Sequence, residues 1–254
     1  MIIASWNVNG FRARARNKSG LMMLQKFNPD VICLQEIKMS GQSISELVDY
    51  FAGEYQCAHS LSSINGRSGV CILSKIPFAG AHDCVGLQEF DAQGRFLMVE
   101  LENGFQVVCL YMPHGGRDGK QIPFKLYAYG RIELFIKEHL KRGVICADFN
   151  VAHSSIDLAR PSQNQNNTMF TKDERRMIDS LLSNGFADAF RIHTSEGNHY
   201  SWWPYSFSAW ERNLGWRIDY IFVQQQLVKC VKNVSIIREI RCSDHSPVLM
   251  DLQE

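Results

Sequence analysis

The sequence predicts an α/β protein built as a four-layer α/β sandwich, in which two mixed β-sheets stack on each other and helices cover their outer faces. Three observations lead to this prediction. Short apolar runs of strand length recur along the chain, and helical patterns with their own start signals lie between some of them. No Pro-, Gly- or Ser-rich linker separates two halves, which favours a single domain over residues 1–254.

Eight runs are predicted as strands because most are continuous or alternating apolar stretches. Alternation indicates a strand with one buried face, so alternating strands combined with covering helices favour two packed sheets over a simple doubly wound sheet. The predicted strands span residues 2–8, 31–37, 70–74, 95–101, 105–112, 144–149, 218–223 and 247–252.

Three helices are predicted between these strands. Ser43 followed by Glu46 makes a capping-box pattern ahead of a helix with apolar positions through Phe51. Thr171 with Glu174 makes a second such pattern, which opens a helix ending near Gly185. A third helix is expected over residues 124–140.

The bulk composition excludes several classes of protein. The chain has 27 basic and 26 acidic side chains and a formal charge of +1, so any electropositive surface must be local. It begins without a secretory signal and has no run of about 18 apolar residues, which predicts a cytoplasmic protein without a membrane partner. Half of its eight cysteines, Cys33, Cys71, Cys109 and Cys146, lie inside apolar runs and are expected to be buried reduced thiols.

Polar residues stand at or beside the ends of the apolar runs, where a rigid scaffold presents side chains to a common cleft. Each has an ordinary structural explanation when taken alone, such as a turn or a cap. Together, carboxylates and amides outnumber basic groups in this set, which is the composition expected around a hard cation beside a phosphate. The set comprises Asn7, Glu36, Tyr111, Asp148, Asn150, Asp219, Asp244 and His245.

Mg²⁺ prefers oxygen ligands, so Glu36 helped by Asn7 and Asp244 suits it better than Zn²⁺. Mn²⁺ is expected to substitute for it. No HExxH or Cys/His ligand spacing competes. Hydrolysis of a phosphodiester also needs an oriented water, a proton acceptor and groups facing the developing charge. Those chemical types are supplied by Asp148, Asn150 and His245, which complete the candidate metal environment.

Seven short motifs follow one another along the chain: SWNVNG (5–10), LQEIK (34–38), GRSGV (66–70), YMP (111–113), ADFNVAH (147–153), WRIDY (216–220) and SDHSP (243–247). In this order they resemble the motifs of the exonuclease III-like apurinic/apyrimidinic (AP) endonucleases of the endonuclease/exonuclease/phosphatase superfamily. Each motif is weak alone, but the resemblance runs from residue 2 to about 251.

The resemblance implies a role for each matching residue. Glu36 is the principal metal ligand, and Asn7 and Asp244 complete the metal environment directly or through water. Asp148 orients and deprotonates the attacking water, with Asn150 beside it. Asp219 orients His245, whose imidazole contacts the scissile phosphate. Tyr111 contacts the phosphate and assists the leaving oxygen.

The resemblance also implies double-stranded DNA as the partner, bound near abasic sites or 3′ ends. A monomer is expected because the sequence shows no heptad repeat or interface stripe, and a cytosolic or nucleoid-associated location follows from the expectation of no signal peptide or membrane segment. Phosphate contacts are expected from Arg12, with Arg14, Arg16 and Lys18 in the same loop, and from Lys38, Arg67 and Arg117. His114 stands where many relatives carry an amide, so it is either a phosphate donor or a plain loop residue.

Aromatic residues are concentrated between Tyr200 and Trp216, and part of this stretch must be core. The resemblance implies that Trp202 and Trp216 form a pocket for a flipped-out baseless sugar, since extrusion costs least where no base is stacked. It also implies insertion into the duplex from the positions of Arg117 and Ser206. Because Ser206 is small, Met169 is a substitute apolar wedge, in a loop whose Asn164 and Asn167 are further DNA-contact candidates.

The implied activity is Mg²⁺-dependent cleavage 5′ to abasic sites, with 3′-5′ exonuclease or 3′-end trimming by the same centre. One alternative is a phosphohydrolase of the same superfamily acting on inositol phosphates or phospholipids. The aromatic loop and the whole-chain coverage argue against it. Another is a catalytically silent nucleic-acid binding module, which would be expected to have lost at least one residue of the set.

Overall fold

The structure is a computed structural model that describes residues 1–16, 19–51 and 53–253. Twelve strands lie in this part of the chain: β1 Ile2–Asn7, β2 Val31–Gln35, β3 Gln56–Ser60, β4 Val70–Ser74, β5 Phe78–His82, β6 Phe96–Leu101, β7 Gln106–Tyr111, β8 Gly143–Asp148, β9 Phe186–Asp188, β10 Asp219–Gln224, β11 Val231–Ile236 and β12 Val248–Leu252. The α-helices are α1 Phe11–Arg16, α2 Ser19–Gln25, α3 Ser45–Tyr50, α4 Gln88–Asp91, α5 Ile122–His139, α6 Pro161–Asn164, α7 Lys172–Ser183 and α8 Ala189–His193. Two 3₁₀ turns, Ser155–Asp157 and Gln225–Cys230, complete the set.

The strands form two six-stranded mixed sheets with the same internal order. One sheet runs β11-β12-β1-β2-β4-β3 and the other β5-β6-β7-β8-β10-β9. In each, a single parallel pair lies at the centre, β1 with β2 and β7 with β8, and every other pairing is antiparallel. The carboxyl ends of both parallel pairs are therefore the natural place for a cleft.

Alternate residues along the central strands enter different layers of the core. Ile3 of β1 and Val107 of β7 pack between the sheets, whereas Ala4 and Val108 face the helices. Helices α1 to α3 cover the first sheet, and α5 and α7 cover the second. The predicted four-layer sandwich is confirmed, because helices, sheet, sheet and helices succeed one another across the molecule.

All eight predicted strands are confirmed, with ends that differ by one or two residues. The four strands that the sequence analysis missed, β3, β5, β9 and β11, are the four edge strands of the two sheets. Three of them are largely exposed or half-buried along their length, and β9 has only three residues. An edge strand covers less core and carries a weaker apolar pattern, which explains why periodicity did not reveal it.

The helix predictions had mixed outcomes. The Thr171–Glu174 capping box is present at the start of α7, and α5 begins two residues before its predicted position. The Ser43–Glu46 box was wrong: α3 begins after Ile44 without a side-chain cap, and the Ser43 hydroxyl accepts from the backbone N–H of Ser40. Glu46 instead pairs with Arg12.

The cysteine prediction is confirmed, because all eight thiols are free and the four named ones are buried. No helix in the described ranges has the length and apolar character needed to cross a membrane.

Candidate active site

The central strands deliver the polar residues to one end of the two sheets. Tyr111 ends β7 opposite Asp148, the last residue of β8, because these strands are parallel and in register. Asp219 begins the antiparallel strand β10 and also lies opposite Asp148. Asn7 ends β1 in the other sheet, and Glu36 follows β2 directly. Register within each sheet, together with the packing of the two sheets, therefore brings together residues that are more than 200 positions apart, such as Asn7 and Asp219.

Four non-glycine residues near this edge have a left-handed backbone, namely Asn9, Glu36, Lys38 and Asn150, with φ between 43° and 52°. This conformation costs roughly 1–2 kcal/mol for most residues and persists only where surrounding contacts impose it. At Asn150 it directs the backbone N–H back to Oδ1 of Asp148, at 2.9 Å. The strained turns thus aim polar groups at the cleft.

Asn7 joins the two sheets at the centre of the site. Its fully buried Nδ2 donates to Oε1 of Glu36 at 2.9 Å and to Oδ2 of Asp148 at 2.8 Å. Its Oδ1 accepts from the backbone N–H of Asn9 at 2.9 Å. In this arrangement Asn7 acts as a bridging donor between two carboxylates, and its oxygen would reach a cation only if the amide turned over.

Asp148 is almost completely buried, and burial raises its pKa from 3.8 to about 7. The neighbouring charge of Asp219 contributes to this rise in the pKa, while His245 and the hydrogen bond from Asn7 oppose it by favouring the ionised form. A carboxylate whose pKa lies near 7 is matched to accept a proton from water at neutral pH. This is the chemistry that the sequence analysis expects of Asp148.

His245 forms a buried ion pair with Asp219. Its Nδ1 donates to Oδ2 of Asp219 at 2.9 Å, and Ser201 Oγ donates to the same oxygen at 2.6 Å. Burial disfavours the imidazolium, but the charge and hydrogen bond of Asp219 outweigh it and raise the pKa of His245 to about 10. Nε2 lies 3.9 Å from Oδ2 of Asp148. A cationic N–H is therefore held beside the buried carboxylate.

A polar chain connects Glu36 to Asp244. Nζ of Lys38 lies 2.9 Å from Oε2 of Glu36 and also contacts Oδ1 of Asn9, whose Nδ2 donates to Oδ1 of Asp244 at 2.9 Å. Burial opposes ionisation of both carboxyls. For Glu36 the hydrogen bond from Asn7 and the Lys38 charge overcome it and lower the pKa, and for Asp244 His245 and Asn9 do the same. Both are carboxylates at neutral pH.

Tyr111 stays protonated at neutral pH, because burial and the nearby Glu36 charge raise its pKa well above 10. The guanidinium of Arg95 stacks on its ring, with Cζ 4.4 Å from the ring centroid. The hydroxyl is therefore a donor in a fixed position.

Two sets of groups compete as the metal site. Ligand atoms of Asp148, Asp219 and His245 lie within 4.8 Å of one another. However, Nδ1 of His245 is committed to Asp219, and a protonated imidazole has no lone pair for a metal. Oxygen donors of Glu36 and Asp148, both bridged by Asn7, suit a hard cation better. A cation at Glu36 has to share this carboxylate with Lys38 or displace its ammonium group.

Two tryptophans form a half-buried wall beside His245. The backbones of Trp202 and Trp216 pair with each other, and Trp202 also pairs with His245. Phe170 packs edge-on against Trp216, with ring centroids 6.4 Å apart. Trp202 Nε1 donates to Oδ2 of Asp244 at 3.2 Å. The expected tryptophan pair is thus adjacent to the catalytic candidates.

The expected apolar wedge at Met169 was wrong. Its side chain is only 4% exposed and packs beneath the two tryptophans with Phe170 and Ile218. The most exposed aromatic side chain of the neighbouring loop is Phe207, at 82%, next to the exposed Ser206.

The first basic segment also differs from expectation. Residues 11–16 form helix α1 rather than a loop, and Arg12 pairs with Glu46. Arg14 donates to the backbone oxygen of Val8 at 2.8 Å, so it supports the Asn7 turn. Lys18 lies outside the described residues.

The other DNA-contact candidates lie around the rim. Arg67, His114, Arg117 and Asn167 are exposed, and Asn164 is half-buried with its amide bonded to the backbone oxygen of Arg160. Arg67 lines a cleft of about 400 Å³ with Arg95 and Lys120. Burial and the Lys125 charge lower the pKa of His114, which favours its neutral form.

Sequence reasoning missed three residues of the site. Ser201 bonds Asp219, Asn9 links Lys38 to Asp244, and Arg95 stacks on Tyr111. Asn9 stood inside the first motif and could have been found there. Ser201 and Arg95 gave no local signal, because their partners are distant in the chain.

Comparisons with known proteins agree with this geometry. Residues 4–245 match the model of the Endonuclease/Exonuclease/phosphatase family. An exodeoxyribonuclease of Bacillus subtilis is 36% identical over 252 residues, which cover 98% of each chain. The DNA repair nuclease APEX1 of Danio rerio is 33% identical over 263 residues, covering 99% of this chain and 82% of that one.

Among solved structures, an AP endonuclease from Archaeoglobus fulgidus superposes over all of both chains, with a TM-score of 0.90 and 28% identity. The fold, the site and the relatives lead to one assignment. The chain belongs to the endonuclease/exonuclease/phosphatase family, as a DNA repair nuclease of its exonuclease III-like AP endonuclease type.

Proposed function

We propose that the protein hydrolyses the phosphodiester 5′ to abasic sites in duplex DNA in a Mg²⁺-dependent reaction, and that the same centre trims 3′ ends. One observation carries the proposal. Asp148 is a buried carboxylate with a pKa near 7, it lies opposite the cationic His245, and both are beside the half-buried tryptophan pair. Water activation, phosphate recognition and a pocket for a baseless sugar are thereby combined in one cleft.

The oxygen donors fit the cation. Glu36 and Asp148 would hold it, with Asn7 and Asp244 around them, since carboxylate oxygens are the ligands that Mg²⁺ and Mn²⁺ prefer. When bound, the cation supplies positive charge to the phosphate oxygens and to the leaving oxygen.

The protein groups divide the remaining work. Asp148 accepts the proton of the attacking water, and the N–H of Asn150 fixes the orientation of its carboxylate. Nε2 of His245 donates to a non-bridging phosphate oxygen, because Nδ1 is held by Asp219. The Tyr111 hydroxyl, protonated at neutral pH, donates to the 3′ oxygen as its bond to phosphorus breaks.

Selectivity for abasic sites is assigned to the tryptophan pocket. A sugar without a base loses no stacking when it leaves the helix, and Trp202 and Trp216 present apolar surface beside His245. The exposed Arg117 and Arg67 are assigned to phosphates of the duplex, with Lys38 nearer the metal side.

The test is incision of a labelled duplex that carries one abasic analogue. We expect cleavage 5′ to the analogue with Mg²⁺ or Mn²⁺ and none with EDTA, and slower removal of 3′ nucleotides from an undamaged recessed end. An inositol polyphosphate serves as the comparison substrate. Absence of metal-dependent incision, or preferential hydrolysis of the inositol polyphosphate, would overturn the proposal.

A matched pair of variants tests the pocket. Trp216→Ala should reduce the preference for abasic over undamaged duplex about 10-fold, since the indole buries the apolar face of the baseless sugar and burial of an apolar group of this size contributes roughly 1.5–3 kcal/mol. Trp210→Ala is the control, because Trp210 packs on Trp203 outside the pocket, with ring centroids 4.1 Å apart. Equal effects of the two substitutions would contradict the assignment.

A further inference from the structure

A buried ion pair lies behind the Asp148–Asn150 turn and has no part in the proposed mechanism. Lys125 of α5 and Glu174 of α7 both have fully buried side chains, and Nζ lies 2.7 Å from Oε1. Removing two charges from water costs several kcal/mol for each ion, and well-packed apolar residues often replace such pairs without loss of stability. An ion pair is therefore not needed at this position for stability. The other hydrogen bonds of Lys125 and Glu174 indicate what role the pair has instead.

Lys125 reaches the turn directly. Its Nζ donates to the backbone oxygen of Asn150 at 2.8 Å. Asn150 is the left-handed residue whose N–H orients Asp148, and its Nδ2 donates to the backbone oxygen of Met112 at 2.9 Å. Lys125 therefore fixes the backbone oxygen of Asn150. The backbone N–H of the same residue holds the Asp148 carboxylate, which is assigned to the attacking water.

Glu174 holds the other side of the same turn. Its Oε2 accepts from the backbone N–H of Met169 at 2.8 Å and from Thr171 Oγ1 at 2.7 Å. The backbone oxygen of Met169 in turn accepts from the N–H of Ala152 at 2.9 Å. Two hydrogen-bonded routes therefore connect the ion pair to residues 150–152.

We propose that Lys125 and Glu174 are positioning residues for the reaction, which hold the turn at residues 148–150 in the conformation that aims Asp148 at the attacking water. This inference rests on the proposed function, which assigns Asp148 to that water. Replacing a residue that hydrogen-bonds to the residues of a site, without touching substrate itself, typically lowers activity 10- to 100-fold. The effect is expected mainly on kcat, because Arg67, Arg117 and Lys38, which are assigned to DNA phosphates, are not substituted.

The decisive variant is the double substitution Lys125→Met with Glu174→Leu. Either single change leaves an uncompensated buried charge and is expected to destabilise the fold strongly, whereas the double change removes both charges. We expect the double variant to fold with a melting temperature below that of the wild type, because the Asn150 carbonyl, the Met169 N–H and Thr171 lose their partners, but above that of either single variant. Its kcat on abasic duplex should fall about 10- to 100-fold with KM changed by less than about 3-fold. Glu174→Gln, which keeps an acceptor oxygen, should give a smaller fall in kcat.

Glu133→Leu is the matched control. Glu133 also joins α5 to α7, through Ser180 and Asn184, but at the ends of these helices away from Asn150. It should lower the melting temperature without lowering kcat. If the double variant keeps wild-type kcat, if its loss appears in KM, or if Glu133→Leu loses kcat to the same extent at a similar melting temperature, the pair is only structural and the proposal is overturned.

Hydrogen exchange of the peptide 148–152 provides a readout that does not depend on activity. The double variant should exchange faster there than the wild type, and Glu133→Leu should not. If the wild type fails to cut abasic duplex, the proposed function fails on its own, and the exchange result still decides whether the pair holds the turn. Unchanged exchange in the double variant overturns the proposal in either case.

Discussion

Replacing Asp219 by Asn keeps the shape of the side chain but removes the charge that faces His245. In the wild type, burial disfavours the imidazolium, yet Asp219, with Asp148 and Asp244, raises the pKa of His245 from 6.5 to about 10. This rise corresponds to about 5 kcal/mol in favour of the charged ring. Asp219 makes the largest of the contributions that raise it, so we expect the pKa in the variant to return towards 6.5 or below.

The direction of the pH dependence follows from the preference of the folded protein for the imidazolium form of His245. A raised histidine pKa means that the imidazolium is fully present below pH 6.5 and is lost only as the pH rises through about 10. In the variant, roughly 3% of the rings would be charged at pH 8 if the pKa returned to 6.5. If only the charged ring donates productively to the phosphate, kcat of the variant at pH 8 should be about 30-fold below that of the wild type, and lower still if its pKa falls below 6.5.

The assay is single-turnover cleavage of abasic duplex with Mg²⁺ between pH 6 and 9. The ratio of wild-type to Asp219→Asn rate should shrink by up to about 10-fold for each unit by which the pH is lowered towards 6.5. Ser201→Ala is the control, since it removes neutral hydrogen bonds to the Asp219 carboxylate and to the backbone N–H groups of Ile218 and Asp219 but no charge. A ratio that does not change with pH would refute the reasoning, because the loss could not then come from the charge of His245.

Three further predictions concern catalysis, DNA binding and stability. Asp148→Asn should lower kcat about 10²- to 10⁴-fold while leaving affinity for abasic duplex in EDTA equal or tighter, as measured by anisotropy and burst kinetics; near-normal turnover would contradict its role. Arg117→Ala should reduce the slope of log K against log salt by about 1, whereas Arg12→Ala should change it little because Arg12 already pairs with Glu46; the reverse order would reject this assignment. Arg217→Met, which strands the carboxylates bonded to this buried arginine, should cost about 3–5 kcal/mol and lower the melting temperature by roughly 10 °C in calorimetry, and an unchanged melting temperature would show that the network is dispensable.

The sequence predicted the central strands and the covering helices α5 and α7 because their residues lie in regular burial patterns. Strand β1 is buried from Ile3 onwards, and its apolar residues are contiguous in the chain. The edge strand β5 is mostly exposed, and its sequence FAGAH has no comparable pattern. Its position is set by pairing with β6, which only the folded sheet provides.

The site shows the same division. The chemical types at Glu36, Asp148, Asp219 and His245 could be read from motifs, since each stands beside a strong strand. The role of each polar group could not be read from motifs, because it depends on which other groups the side chain contacts. The Asn7 amide faces two carboxylates from different sheets, an orientation fixed only when β1 and β8 pack together.

Met169 and Arg12 show why the long-range contacts of a residue could not be judged in advance. Both stood in segments interpreted as loops, yet Met169 is buried under Trp202 and Trp216, and Arg12 is held by Glu46 from another helix. The residues near a position in the chain do not show which distant residue will pack on it or pair with it.

The sequence by itself determined the central strands and the buried thiols. It also determined the set of carboxylates and amides at the strand ends, whose composition suits phosphate chemistry. The tertiary structure decided the edge strands, the pKa values of Asp148 and His245, and the placement of Lys125 behind Asn150. The physical reason is that burial periodicity is a property of neighbouring residues, whereas desolvation, register and hydrogen-bond pairing depend on groups far apart in the chain.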